Sequence, residues 1–153
     1  MQKRLGLPAF LFFVLSTTYS TAQEIVFKDG DRVCFIGDSH TMSGSYPQFI
    51  NLLYTTRFPL SNITFFNSGI SGGVSGGAIR RLESDVFIHK PTWCTLMIGG
   101  NDIKGWLYSD ANKNVPDIKE QQQAALDKYY KDSDSLIRRL LAANIKVILI
   151  TDP

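Results

Sequence analysis

The sequence predicts an α/β fold of three layers, with helices on both faces of a parallel, flavodoxin-like sheet. Three observations predict it. From Arg32 onward, short apolar runs alternate with longer amphipathic ones. Gly, Asn, Ser or Asp marks each switch. The short runs are also near-continuously apolar, as strands covered on both faces should be.

Taken in order, strands are expected at Arg32 to Ile36, Ile63 to Asn67, Thr92 to Ile98 and Lys146 to Thr151. Helices are expected between them at Tyr46 to Arg57, Val74 to His89 and Ile118 to Ala143. In the last of these, Ile118, Ala125, Tyr129, Leu136, Ile137, Leu140 and Leu141 recur at helical spacing, which marks one buried face. Residues Lys104 to Pro116 are polar and interrupted by Gly105, Asn112, Asn114 and Pro116, so they read as a surface loop bordering a site at the preceding strand's end.

The first 22 residues stand apart from this pattern. Lys3 and Arg4 precede an apolar run from Leu5 to Leu15, and the small residues Ser20, Thr21 and Ala22 follow. This is the layout of a secretory signal peptide cleaved before Gln23, and the apolar run is short of the roughly 20 residues that a bilayer span requires. Residues 23–153 then form the globular domain, exported and with no stable membrane span. Of the 16 basic residues, taking out Lys3 and Arg4 leaves 14, against 14 acidic ones, so the domain is formally neutral. A nucleic-acid partner is excluded on this basis, because no basic face is available to neutralise phosphates.

Cys34 and Cys94 each fall inside a strand-like run. Export would permit a disulfide, but central parallel strands rarely offer bridging geometry, and two buried free thiols are the expectation. Neither has a second ligand at a usable spacing, so no metal or other cofactor is expected.

The chemistry-bearing residues gather where strands end, the position that ligands favour in open parallel sheets. Gly37-Asp38-Ser39-His40-Thr41 follows the first strand, where free backbone N–H groups can stabilise negative charge. Asn67-Ser68-Gly69-Ile70-Ser71-Gly72-Gly73 follows the second, with glycines that let backbone donors approach a ligand. Gly99-Gly100-Asn101-Asp102 follows the third and supplies a side-chain amide. Asp38, adjacent to Ser39, is expected to organise its turn by hydrogen bonds to nearby backbone.

In order and placement these three turns resemble the first three sequence blocks of the SGNH hydrolases, also called GDSL-type esterases and lipases. Thr151-Asp152-Pro153 resembles that family's turn after its fourth strand. The resemblance implies a serine esterase with Ser39 as nucleophile. It implies an oxyanion hole made by the backbone of Ser39 and Gly72 and the Asn101 amide, with Asp38 and Asp102 in support. The implied substrate is a small-molecule or polysaccharide ester, a carbohydrate O-acetyl group or a simple acyl or lipid ester. Trp106 and Tyr108 could stack on a sugar, line an acyl pocket or simply anchor the loop.

A serine hydroxyl needs a positioned base, usually a histidine held by a carboxylate. In that family the pair comes from an Asp-x-x-His block towards the C-terminus, and the 153 residues contain none. His40 is adjacent to Ser39 and reads as a polar residue at a helix start. His89, before Lys90-Pro91, reads as a helix-end residue. The expectation is therefore an N-terminal part of a longer enzyme, lacking a further strand and helix unit and inactive alone. The competing expectation is a non-catalytic exported binding module on the same fold. A nucleotide binder carries little weight, because no Gly-x-Gly-x-x-Gly or Gly-Lys-Ser/Thr pattern follows the first strand. The sequence leaves the oligomeric state open.

Overall fold

A computed structural model describes residues 25–151. The signal-peptide reading of residues 1–22, and Asp152 and Pro153, lie outside the described residues. Four strands form one parallel sheet: β1 (Arg32–Gly37), β2 (Thr64–Gly69), β3 (Trp93–Met97) and β4 (Lys146–Leu149), in the order β2-β1-β3-β4. β1 registers against both neighbours, with Phe35 opposite Asn67 on one side and Thr95 on the other. From β1 the chain winds first to one side and then to the other, so a topological switch point lies between β1 and β3.

Alternation along the strands separates two cores. Cys34, Ile36, Cys94 and Leu96 face one side of the sheet. There they pack with Ala78 of α3 (Ser75–Arg80), Leu82 of α4 (Leu82–Asp85) and Leu136 and Leu140 of α5 (Ile118–Ala142). Val33 and Phe35 face the other side, against Tyr46, Ile50 and Tyr54 of α2 (Ser45–Arg57) and the incoming Phe27. This second core is aromatic: Phe35 stacks on Phe65 at 5.8 Å and 11°, and Phe27 meets Trp93 edge-on at 5.6 Å. Each fully buried large side chain of this kind contributes roughly 1.5–3 kcal/mol. The expected three-layer α/β fold is thus the observed one.

The helices depart from expectation in one place. Val74 to His89 is not a single helix but α3, α4 and a 3₁₀ turn at Phe87–His89. Gly76 and Gly77 weaken the first piece, and its N-cap, Val74, makes no side-chain capping bond. At the break, Arg81 leaves helical geometry and donates from Nη1 to the Ser68 carbonyl at 2.7 Å and to Asp85 at 3.0 Å. Buried Leu82 and Val86 hold the turned segment on the sheet. α5 runs as expected, but Leu141 is exposed while Ala125, Leu136 and Leu140 are buried. The 104–116 loop contains 3₁₀ turns at Gly105–Tyr108 and Asp110–Asn112. It is anchored by buried Leu107, whose carbonyl accepts from Gln122 Nε2 at 2.9 Å.

Cys34 and Cys94 stand opposite each other across β1 and β3, free and buried. The Cys94 thiol and then the Ser68 hydroxyl lower the Cys34 thiol's pKa against the effect of burial, while its contact with Cys34 and burial push that of Cys94 up. Among the described residues, no helix is long and apolar enough to cross a membrane.

Candidate active site

The first turn starts where β1 runs out of room. A Cβ on Gly37 would come within 2.5 Å of the Met97 carbonyl oxygen and 2.8 Å of the Thr41 Cβ, so only glycine permits the chain to bend there. Asp38 caps the short α1 (Ser39–Met42), its carboxylate accepting from His40 N at 3.0 Å. Ser39 therefore occupies the first helical position, half-buried, with no intrahelical partner for its N–H. Thr41, fully buried, turns inward to hydrogen-bond Tyr46 Oη at 3.1 Å. Burial raises the Tyr46 pKa although its hydroxyl contacts lower it.

The second turn carries α1 on its back. Asn67 Nδ2 donates to the Thr41 carbonyl at 2.7 Å, and Asn67 Oδ1 accepts from Gly69 N at 2.9 Å. A Cβ on Gly69 would lie 2.8 Å from Met42 Cα, which shows how closely α1 rests on the end of β2. The chain then folds back, with Ile70 N donating to the Gly37 carbonyl at 3.1 Å and Gly73 N to the Ile70 carbonyl at 2.9 Å. Gly72 sits at the tip with φ +69, exposed, and its N–H has no intramolecular acceptor among the described residues.

The third turn closes the arrangement across the switch point. Asn101 Nδ2 donates to the Gly73 carbonyl at 3.1 Å and, more weakly, to the Asp38 carboxylate at 3.4 Å. One amide thus joins all three turns. Asp102, the next residue, accepts from Ser75 N at 2.9 and 3.1 Å and from Ser75 Oγ in a short hydrogen bond. Gly99, at φ +141, lies against the Tyr129 ring, where a Cβ would come within 2.9 Å of its hydroxyl oxygen.

Of the residues singled out from sequence, Asp38, Ser39, Gly72, Asn101 and Asp102 are brought to one end of the sheet. Among the described residues, neither histidine side chain makes a hydrogen bond to this cluster. His40 is exposed, and the His89 ring stacks on Phe66 at 4.2 Å while its carbonyl accepts from Arg32 Nε at 2.6 Å. Trp106 and Tyr108 are 54% and 52% exposed, with the Trp106 carbonyl held by Asn112 Nδ2 at 2.8 Å. A cavity of about 440 Å³ lies beside the cluster, bounded by Asp38, Gly99, Ile103, Tyr129, Ile137 and Leu149, and of the cluster it touches Asp38 alone. Among the described residues, no group of three or more His, Cys, Asp or Glu side chains is placed to hold a metal ion. Asn67 and Ser75 have structural roles here that sequence reading did not assign. Their signal was a polar residue at the end of an apolar strand and a serine opening a helix.

Residues 33–153 match the GDSL-like lipase/acylhydrolase family. The chain belongs to that family. It is 31% identical over 137 residues to the acetylxylan esterase of Geobacillus stearothermophilus, which covers 80% of this chain and 59% of that enzyme. It is 27% identical to the thioesterase 1/protease 1/lysophospholipase L1 of Escherichia coli, over 76% of this chain and 53% of that protein. The chain thus spans somewhat over half the length of these lipase/acylhydrolase relatives. Among solved structures, the acetylxylan esterase Axe2 of Geobacillus stearothermophilus superposes with a TM-score of 0.66 at 29% identity, over 80% of this chain and 59% of Axe2. A gut microbial diltiazem-metabolizing enzyme superposes with a TM-score of 0.69 at 31% identity, over 80% of this chain and 27% of its own.

Proposed function

We propose that these residues form the nucleophile and oxyanion-hole half of an exported serine esterase. The observation that carries the proposal is the Asn101 amide, bonded to Gly73 beside Gly72 and to Asp38 beside Ser39. In this reading Ser39 Oγ attacks the ester carbonyl carbon and its proton passes to a base. The carbonyl oxygen becomes an oxyanion that accepts from Ser39 N–H, Gly72 N–H and the Asn101 Nδ2 hydrogen that otherwise makes the weak bond to Asp38. Donors fixed before the reaction cost no reorganisation when charge develops, and removing one typically costs about 2.7–4 kcal/mol of barrier lowering. Collapse of the tetrahedral intermediate expels the alcohol, leaving an acyl-Ser39 ester that water then cleaves.

The base in this scheme is a histidine, held by an aspartate, from polypeptide outside the 153 residues. Two observations support this. His89 is occupied against Phe66 and His40 faces solvent. The catalytic mutants of Axe2 replace a serine, an aspartate and a histidine. The substrate proposed is an acetyl or other short acyl ester of an extracellular carbohydrate, in keeping with the acetylxylan esterase likeness and with exposed Trp106 and Tyr108, rings of the kind that stack on sugars. Export is proposed from Lys3, Arg4 and the apolar run that follows.

The test is turnover of p-nitrophenyl acetate by the full-length native protein, with fluorophosphonate labelling alongside. Ser39→Ala is expected to lower kcat by about 10⁴-fold or more and to abolish labelling. Unchanged turnover in that variant removes Ser39 from the mechanism. A native protein that neither turns over nor labels is a binding module on this fold.

A further inference from the structure

The esterase reading leaves a question of geometry: what holds the Asn101 amide in register with Gly72, when both sit on exposed turns from different strands? Asn101 and Gly72 are themselves exposed and carry little packing. The Asn101–Gly73 hydrogen bond alone is one contact at 3.1 Å. Immediately next to it, however, lies a far better buried pair. Ser75 is 0% exposed, and both its backbone N–H and its hydroxyl donate to the Asp102 carboxylate.

We infer that Asp102 and Ser75 form a clamp that positions the oxyanion hole, acting through their sequence neighbours and not by touching substrate. The geometry makes the connection short. Asp102 follows Asn101 directly, and Ser75 is three residues beyond Gly72, so the clamp ties the third turn to the second one step further from solvent. A carboxylate accepting from an N–H and an O–H at once is a charge-assisted pair, stronger than a neutral bond and more sharply directional. Ser75 N is also a first-turn helical N–H, which has no intrahelical acceptor, so Asp102 satisfies a donor that burial would otherwise leave unpaired. With the clamp closed, the Gly73 carbonyl falls within reach of Asn101 Nδ2 and takes one amide hydrogen, while the other makes only the weak 3.4 Å bond to Asp38 that an oxyanion can displace. With it open, no other hydrogen bond among the described residues ties Asp102 to the 70–75 segment.

This inference rests on the esterase reading and adds to it two positioning residues. A misplacement of about 1 Å in such a site can cost roughly 100-fold in rate. The experiment compares the full-length native enzyme with Asp102→Asn, Ser75→Ala and the double variant, measuring kcat, KM, thermal unfolding and affinity for a boronic acid that mimics the tetrahedral intermediate. The expected result for Asp102→Asn is a fall in kcat of about 10- to 100-fold with KM within about twofold, matched by an equal loss of boronate affinity. Ser75→Ala is expected to give a smaller fall, and the double variant no more than Asp102→Asn alone, because the two groups act as one unit. If folded Asp102→Asn keeps kcat within twofold, or if the two substitutions multiply independently, the clamp is wrong. If Asp102→Asn does not fold, Ser75→Ala decides alone: reduced kcat and boronate affinity at unchanged unfolding temperature support the clamp, and unchanged values overturn it. Ser39→Ala separates the levels, since retained turnover there overturns the esterase reading itself, whereas lost turnover with an unaffected Asp102→Asn overturns the clamp alone.

Discussion

β1 lies between two paired neighbours, and Val33, Cys34, Phe35 and Ile36 are each no more than 1% exposed, whereas among the described residues β4 is paired on one side only and its Leu149 is 62% exposed. Apolar content is nearly the same in both. The difference teaches that a strand's energetic weight follows the number of layers and neighbours around it. It also bears on the site. The end of β1 can hold Asp38, a carboxylate only 7% exposed, because α1 and the turn after β3 supply donors to it, His40 N and Asn101 Nδ2. The end of β4 opens on the cavity beside Tyr129 and Ile137. The other edge strand, β2, differs again, since Arg81 donates to the Ser68 carbonyl and Ser68 Oγ to the Asp85 carbonyl, which stitches β2 to α4.

The largest effect expected from this contrast is in the centre. Phe35→Ala removes a ring that touches Tyr46 and Phe65, and it is expected to cost about 3–5 kcal/mol, read from the midpoint of urea unfolding. A loss under about 1 kcal/mol would mean that β1 is not the core strand its burial indicates.

The β2 stitch is expected to be intermediate and dependent on pH. The Ser84 hydroxyl, then the Arg81 guanidinium, hold the Asp85 pKa below its ordinary 3.8. Ionised Asp85 therefore adds stability that is complete above about pH 4 and is lost as pH falls through the depressed value in the folded state. Asp85→Asn is expected to cost up to about 1 kcal/mol at pH 7, with the difference from the parent shrinking in acid. A gap between the two proteins that stays constant down to pH 2 would show that the carboxylate's charge is not what matters there.

In the 153-residue chain by itself, Leu149→Ala is expected to change stability by no more than about 0.5 kcal/mol. A loss comparable to that of Phe35→Ala would show that β4 is covered in solution.

Much of the candidate site's placement was legible before the structure, because the residue types it gathers sit at the ends of apolar runs. A Gly-Asp-Ser turn, a glycine-rich turn and Gly-Gly-Asn-Asp follow three successive strands, and the fold brings those strand ends together. The break at Arg81 was not legible. Helical periodicity continues through Leu82 and Val86, and what interrupts it is a carbonyl on another strand, Ser68, that the guanidinium reaches. The role of Asn67 was hidden for a similar reason, since its partner, the Thr41 carbonyl, lies 26 residues away.

By itself the sequence determined the parallel α/β class, the placement of polar turns at strand ends and the candidate nucleophile. Those depend on local periodicity and on residue chemistry, which are properties of short segments. Only the tertiary structure decided that β1 is central and that, among the described residues, β4 pairs with β3 alone. It alone showed that Cys34 faces Cys94, that Asn101 spans the switch point and that Asp102 closes on Ser75. Each of these depends on which strand lies beside which, a relation between distant segments that the burial of both sheet faces enforces and that no local pattern encodes.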